Sequence, residues 1–388
     1  MYENSLRKLL YSLDHRNYKS YDPYDGNNTQ ISLLLKYRPV RIFNTYFHKF
    51  SPINFRRFFK IRQILSNQSA GLCLRGFINL KPGLYPKRQE RIEILLNHIK
   101  SNTLYPKSNY YVWDGLNFPV QLLNSYEPYH DVTDIIAIET CGQALLDYYN
   151  KIDPDTELIK IFNSIIDYLL KYHQKNTQNF AWLKYHEDSN NYLITHNASI
   201  LGAVVLKKMA AIAKREEEVE NFCSRIVHTT LNFQKDDGRW NYSVSLETGY
   251  EKQQVDFHQG FILDALLGYM ELTGFKDPFL SAYKKGLKFY YQKQFMPDGQ
   301  SIYRYPKKWP ADIHSQAQGI ITFTHAARAG FGDHYLNFAR TIAEWTIQNM
   351  QDKDGHFYFL KYPWFTNKIP YIRWSDANMA YALSVLLS

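Results

Sequence analysis

Three short segments of the chain repeat a pattern able to do acid–base chemistry. They read Val255-Asp256-Phe257-His258-Gln259-Gly260, Ala311-Asp312-Ile313-His314-Ser315-Gln316 and Ser375-Asp376-Ala377-Asn378-Met379-Ala380. The shared element is Asp-x-His/Asn opening an apolar helix, and a weaker copy, Thr195-His196-Asn197-Ala198-Ser199, opens the helix before them. Asp and Asn cap orphan N–H groups and oppose the helix dipole, so capping alone accounts for one such aspartate. A His or Asn recurring two positions later needs a further reason. Carboxylates about 5–9.5 Å apart are what glycoside hydrolysis needs, one as acid and one as base or nucleophile. Asp256, Asp312 and Asp376 are the candidates. Elimination on a uronate needs instead a Tyr or His base and an Arg or Asn to neutralise the carboxylate, roles open to His258, His314, Tyr305, Asn197 and Arg373. The catalytic candidates are therefore Asp256, His258, Asp312, His314 and Asp376. The substrate-binding candidates are Asn197, Tyr242, Tyr305, Trp309, Arg373, Trp374 and Asn378. Taken singly, each reads more often as a cap or a satisfied buried polar group.

The elements that must position them also repeat. Gln234-Lys-Asp-Asp-Gly238-Arg-Trp240, Gln294-Phe-Met-Pro-Asp298-Gly299 and Gln351-Asp-Lys-Asp354-Gly355-His-Phe357 each end a helical pattern with a glycine turn followed by aromatics. Between these markers Glu216–Phe233, Asp277–Gln292 and His334–Met350 are amphipathic, while Phe261–Leu272 and Ile320–Ala329 are apolar on most sides. Solvent-facing helices thus alternate with buried ones, as in a ring of hairpins. Gln89–Ile99 with Asp134–Tyr149 and Thr156–Tyr172 with Ser199–Ala213 extend the series backwards, and Gln30–Asn79 supplies a further pair. The predicted fold is all-α, an (α/α)6 toroid forming a single domain over residues 1–388, with five or seven hairpins as neighbouring counts. In such a ring every inner helix runs the same way. Their N-termini converge on one funnel, roofed by the aromatic loops Ser101–His130 and Gly238–Gln254, and several positive helix ends there favour an anionic ligand. Tyr21-Asp-Pro-Tyr-Asp25-Gly26 has strong turn character and reads either as a clamp or as a segment reaching the funnel.

Composition narrows the function classes. Aromatics make up 16% of the chain, with 32 Tyr, 24 Phe and 7 Trp; such residues suit walls packed on one side and wet on the other, including sugar clefts. The net charge of +9 favours an anionic partner. Only Arg56, Arg57, Lys60 and Arg62 cluster, and no nucleic-acid motif accompanies them. Cys73, Cys141 and Cys223 lie far apart without a CxxC pair, which argues against a disulfide framework or a cysteine-rich zinc site. The Asp-x-His spacing is not a recognised metal-ligand set, and no cofactor is assigned. No phosphate-binding glycine loop, HExxH or GxSxG occurs. With no apolar leader and no stretch approaching about 20 apolar residues, the chain reads as cytoplasmic without a membrane span.

The Gln-x3-Gly-x-aromatic units resemble the QW repeats of terpenoid cyclases. The whole layout resembles the α/α toroids shared by those cyclases, protein prenyltransferases and six-hairpin glycosidases. The Asp-Pro-Tyr-Asp-Gly opening and the ending Ile372-Arg-Trp374-Ser-Asp376-Ala-Asn378-Met-Ala-Tyr-Ala-Leu are most similar to the bacterial polysaccharide-biosynthesis toroids of the VpsJ type. That resemblance implies a role in making or trimming a surface or capsular polysaccharide, and it carries over no catalytic residues. The Asp-rich acid cluster of the cyclases and the Asp/Cys/His zinc set of the prenyltransferases do not occur here. Three readings follow: a hydrolase, lyase or epimerase acting on an oligo- or polysaccharide, acidic in one version; an isoprenoid-handling toroid with a dry, aromatic-lined funnel; and a glycan-binding toroid without chemistry.

Overall fold

The computed structural model describes residues 1–105, 108–123, 129 and 131–388. Part of the loop read over Ser101–His130 therefore lies outside the described residues. The helices are α1 (Tyr2–His15), α2 (Leu33–Lys36), α3 (Arg38–Phe50), α4 (Asn67–Asn79), α5 (Arg88–Ser101), α6 (Ile135–Lys151), α7 (Thr156–Tyr168), α8 (His196–Ala213), α9 (Glu216–Asn232), α10 (His258–Thr273), α11 (Phe279–Lys293), α12 (Ile313–Arg328), α13 (Asp333–Met350) and α14 (Asp376–Leu387). Six of them, α4, α6, α8, α10, α12 and α14, each pack on the next, and α14 returns to α4. This closed inner ring is wrapped by α1, α5, α7, α9, α11 and α13, so the fold is the (α/α)6 toroid.

Burial follows the sequence pattern. α13 buries only Ala339, Ile342, Ala343, Thr346 and Met350, one stripe at helical spacing. α8 buries residues on nearly every side. The first hairpin differs from the one read at Gln30–Asn79. Its outer helix is α1, whose Leu6, Leu9, Leu10 and Leu13 are buried, and residues 16–66 are an insertion before the inner helix α4. Locally periodic sequence cannot show that an outer helix and its inner partner are separated by so long an excursion.

The glycine turns are the joints of the ring. Gly238, Gly299 and Gly355 have φ of +98°, +94° and +99°, and a Cβ on each would lie 2.3 Å from Lys285 O, 2.7 Å from Thr341 O and 2.4 Å from Lys8 O. Each turn thus rests directly on the backbone of the next outer helix, and the last turn rests on α1. Gln234 Nε2 donates to Gly238 O and Ala282 O, and Gln351 Nε2 donates to Gly355 O and Ser5 O. The QW-like glutamines therefore staple neighbouring hairpins, and Gln351 closes the circle.

The loops over the funnel contain short strands: β1 (Gln174–Asn176), β2 (Ala181–Leu183), β3 (Leu193–Thr195), β4 (Ser243–Ser245), β5 (Glu251–Lys252), β6 (Ala311–Asp312), β7 (Leu360–Lys361) and β8 (Thr366–Asn367). β1 and β2 form a hairpin, while β3-β4-β5 and β6-β7-β8 are antiparallel sheets. Thr195 pairs with Ser243 and Asp312 with Leu360. One sheet thus ties the roofs of α8 and α10, the other those of α12 and α14.

Candidate active site

A cavity of about 1110 Å³ runs along the toroid axis, from the N-terminal ends of the inner helices to Asn79, Lys151, Arg328 and Ser388 at their other ends. Of the residues singled out from the sequence, His258, His314, Asn197, Tyr242, Arg373, Trp374 and Asn378 line it. Asp256, Asp312, Asp376, Tyr305 and Trp309 do not.

The reason for Asp376 is a shift in register. Trp240, Ser301 and Phe357 each stand two residues after a repeat glycine. Their N–H groups donate to Gln259 Oε1 at 2.9 Å, Gln316 Oε1 at 2.6 Å and Asp376 Oδ1 at 2.7 Å. Asp376 is therefore the counterpart of Gln259 and Gln316, not of Asp256 and Asp312. Its other oxygen accepts from Arg16 Nη2 at 2.7 Å, and the residue is wholly buried. In the same register Phe257, His314 and Trp374 are equivalent, and they meet: the His314 ring stacks on Phe257 at 4.1 Å and sits edge-on to Trp374 at 5.8 Å. Both His314 nitrogens are shielded and unpartnered. Burial, with His258 nearby, lowers its pKa to about 3.

Asp312 and Asp256 lie just below the lining. Asp312 caps α12 by accepting from His314 N at 3.0 Å. Burial and then the neighbouring Asp256 charge raise its pKa to about 7. Asp256 goes the other way. Burial pushes it up, but the pull of the His258 imidazole hydrogen-bonded to it, together with the hydrogen bond from Gln254, outweighs burial and leaves it below the usual range. Its Oδ1 is 2.5 Å from His258 Nδ1, and its Oδ2 accepts from Gln254 Nε2 at 2.8 Å. A carboxylate on Nδ1 fixes that nitrogen as the protonated one and leaves the lone pair on Nε2. Tyr305 packs on Phe289 and Trp309 on the core, away from the cavity.

The fold adds residues that sequence reading missed. Asp134, at the N-cap of α6, accepts from Ala137 N at 2.6 Å and lines the cavity; burial raises its pKa against the pull of His186 and Arg373. His186 is anchored through Nδ1 to Thr133 O at 3.2 Å and also lines the cavity. Tyr185 lines the cavity together with Asp134, Tyr242, Arg373 and Tyr24; burial, and then the Asp134 charge, push its phenol pKa well up. Tyr24 belongs to the Asp-Pro-Tyr-Asp turn, which is clamp and lining together: Asp25 pairs with the buried Arg56 at 2.7 Å, and Asp22 accepts from Arg373 Nε at 2.7 Å. Asp134 had a readable signal, an aspartate capping an inner helix as Asp312 does. Tyr185 and His186 had none.

No protein-family model matches the chain, and no curated protein does. Solved structures do match. The cellobiose 2-epimerase of Bacillus thermoamylovorans is 12% identical over 83% of this chain and 87% of its own, with a TM-score of 0.67. A GH76 α-mannanase of Bacteroides thetaiotaomicron is 13% identical over 82% and 84%, with a TM-score of 0.63. A D-mannose isomerase is 13% identical over 83% and 86%, with a TM-score of 0.62. At these identities the likeness is one of fold.

Deeper in the cavity the walls stay charged. Arg75 pairs with Asp147 at 2.7 Å and donates to Tyr381 Oη, and Glu139, Lys208, Asp264 and His325 line the same stretch.

Proposed function

We propose that this chain is a saccharide epimerase or isomerase in which His258 moves the proton. The observation that carries this reading is the Asp256–His258 pair, with Nδ1 held at 2.5 Å and the imidazole lining an axial cavity. A C–H beside a sugar carbonyl is acidic enough for a positioned imidazole to remove, provided the enolate oxygen is stabilised by donors or a cation. The Nε2 lone pair of His258 takes that proton. Tyr185, Tyr242 and Arg373 provide donors for the oxygen, and His186 provides a second imidazole to return a proton. Two fold neighbours named as a cellobiose epimerase and a mannose isomerase support this chemistry.

The charged lining weighs against an isoprenoid-handling toroid, which needs dry aromatic walls. A glycosidase reading keeps one specific observation in its favour: Asp134 lines the cavity with a raised pKa, as a general acid requires, and one neighbour is an α-mannanase. The resemblance of Tyr21–Gly26 and Ile372–Leu383 to VpsJ-type toroids supports placing the reaction in assembly of a surface polysaccharide. We place it in the cytoplasm, where the three buried, unpaired cysteines stay reduced.

The test is incubation with cellobiose, mannose, glucose and manno-oligosaccharides in deuterium oxide, followed by proton NMR. The proposal predicts deuterium at the carbon beside the carbonyl and a new epimer or ketose, both lost in His258→Asn. Release of new reducing ends without exchange, abolished by Asp134→Asn, would replace it with the hydrolase reading.

A further inference from the structure

The insertion between α1 and α4 carries a surface that the cavity does not use. Phe43, Phe50, Ile53, Phe55 and Phe58 are 62%, 71%, 60%, 37% and 80% exposed. Phe43, Phe55 and Phe58 are joined through Phe47 and Phe59: Phe47 stacks on Phe43 at 5.6 Å and touches Phe55 at 5.6 Å and Phe59 at 5.7 Å, and Phe59 abuts Phe58 at 5.4 Å, while Phe50 stacks on Tyr46 at 6.1 Å on the same helix. Large aromatics grouped in this way on a surface mark an interaction site. The charge around them is one-sided. No Asp or Glu occurs between Asn27 and Gln89, whereas residues 31–62 hold Lys36, Arg38, Arg41, Lys49, Arg57, Lys60 and Arg62 besides the buried Arg56, whose charge Asp25 already meets. Among the described residues, Lys36, Arg57 and Lys60 make no ion pair.

We infer that this face docks on the surface of an anionic lipid bilayer. An interfacial element places aromatic side chains at the headgroup boundary and lets lysines and arginines meet the lipid phosphates, and this segment has both features. A second copy of the chain is a poor occupant, since it would set two acid-free basic faces against each other. A nucleic acid would use the cations and leave the protruding phenylalanines in water. The contact is peripheral, because no helix among the described residues is long and apolar enough to cross a membrane. It also has a fixed relation to the cavity: Lys49 Nζ, on α3, donates at 2.8 Å to the hydroxyl of Tyr24, which lines the mouth. A chain seated on a bilayer through this face holds its mouth beside the headgroup layer, whatever reaction the cavity performs.

The experiment is co-sedimentation of the full chain with vesicles of phosphatidylcholine alone and of an equal mixture of phosphatidylcholine and phosphatidylglycerol. The chain should pellet with the anionic vesicles only, and added salt should weaken the binding. Phe43→Ser, Phe50→Ser and Phe58→Ser combined, and separately Arg57→Glu with Lys60→Glu, should each lower the partition coefficient about tenfold or more. These positions are exposed, so melting temperatures should match the parent, and the charge pair stands as the test if the phenylalanine set misfolds. The inference is overturned by a wild-type chain that stays in the supernatant. It is also overturned by binding indifferent to either set, or by a dimer in sedimentation velocity that the phenylalanine variant turns into monomer.

Discussion

His258 Nδ1 lies 2.5 Å from Asp256 Oδ1, and Asp256 is buried beneath the imidazole it orients. Removing the imidazole and removing its orienting carboxylate should therefore have different effects. His258→Asn deletes the proton carrier, and turnover should fall by roughly 10²–10⁴-fold, the usual contribution of a positioned acid–base group. Asp256→Asn keeps the ring but lets the proton settle on either nitrogen, so kcat should fall while KM stays near its parent value. Steady-state kinetics of both variants check this. Equal turnover in His258→Asn and wild type would remove His258 from the chemistry.

Asp376 should behave as a structural residue. Asn in its place still accepts from Phe357 N but loses the charge that pairs with Arg16. Asp376→Asn should cost about 2 kcal/mol of stability, the scale of a charge-assisted hydrogen bond, with kcat per folded molecule unchanged. Denaturant melts beside kinetics separate the two effects.

This residue also shows how far the sequence could be read. Alternating amphipathic and apolar stretches from Gln89 onward, punctuated by Gly238, Gly299 and Gly355, are enough to give the ring, because each hairpin is a local unit with a local period. The site is harder to read because its members are non-local. Ser-Asp376-Ala-Asn378 imitates Asp-x-His closely, and only the hydrogen bond from Phe357 N reveals that Asp376 belongs with Gln259 and Gln316. Tyr24, Asp134 and His186 come to the mouth from three separate segments, and no spacing rule within the chain links them.

Ring closure should cost the same as any internal joint. Gly355 rests on Lys8 O and Gly238 on Lys285 O with nearly the same clearance and φ. Gly355→Ala and Gly238→Ala should each destabilise by about 1–3 kcal/mol through crowding, with added backbone strain. Thermal melts showing Gly355→Ala as silent would mean that α13 and α1 are not joined in solution as α9 and α11 are.

The buried histidines predict the acid limit of stability. His196 is fully buried with both nitrogens unpartnered, and burial lowers its pKa from 6.5 to about 4. Below about 6.5 the unfolded chain takes up a proton that the folded chain refuses until about 4. The stability is thus complete above the unfolded value and is lost as pH falls through this window. At about pH 5 the loss from this one residue is about 2 kcal/mol. Urea titrations at neutral and acid pH should show that His196→Gln loses less stability on acidification than the parent. Parallel losses would mean that His196 is already protonated in the folded state.

Arg373 offers a test of whether the substrate is acidic. Its Nε donates to Asp22 at 2.7 Å, its Nη1 donates to Gln68 at 3.2 Å, and its guanidinium lies 4.8 Å over Trp374. The Asp22 charge outweighs burial and holds the guanidinium charged. Nη2 makes no hydrogen bond among the described residues, so a sugar carboxylate at the mouth has a donor to meet. Removing Arg373 alone would strand the buried Asp22 charge and confuse binding with folding. The informative variant is Asp22→Asn with Arg373→Gln, which removes both charges and keeps the hydrogen-bonding shapes. If the substrate carries a uronate, KM for it should rise about 10–100-fold relative to a neutral analogue, the range set by one charge-assisted hydrogen bond. Comparing KM for a uronate-bearing and a neutral disaccharide in parent and double variant gives the answer, because any general damage to the mouth cancels in the ratio. An unchanged ratio would assign Arg373 to holding the Asp22 turn in place and leave a neutral sugar as the substrate.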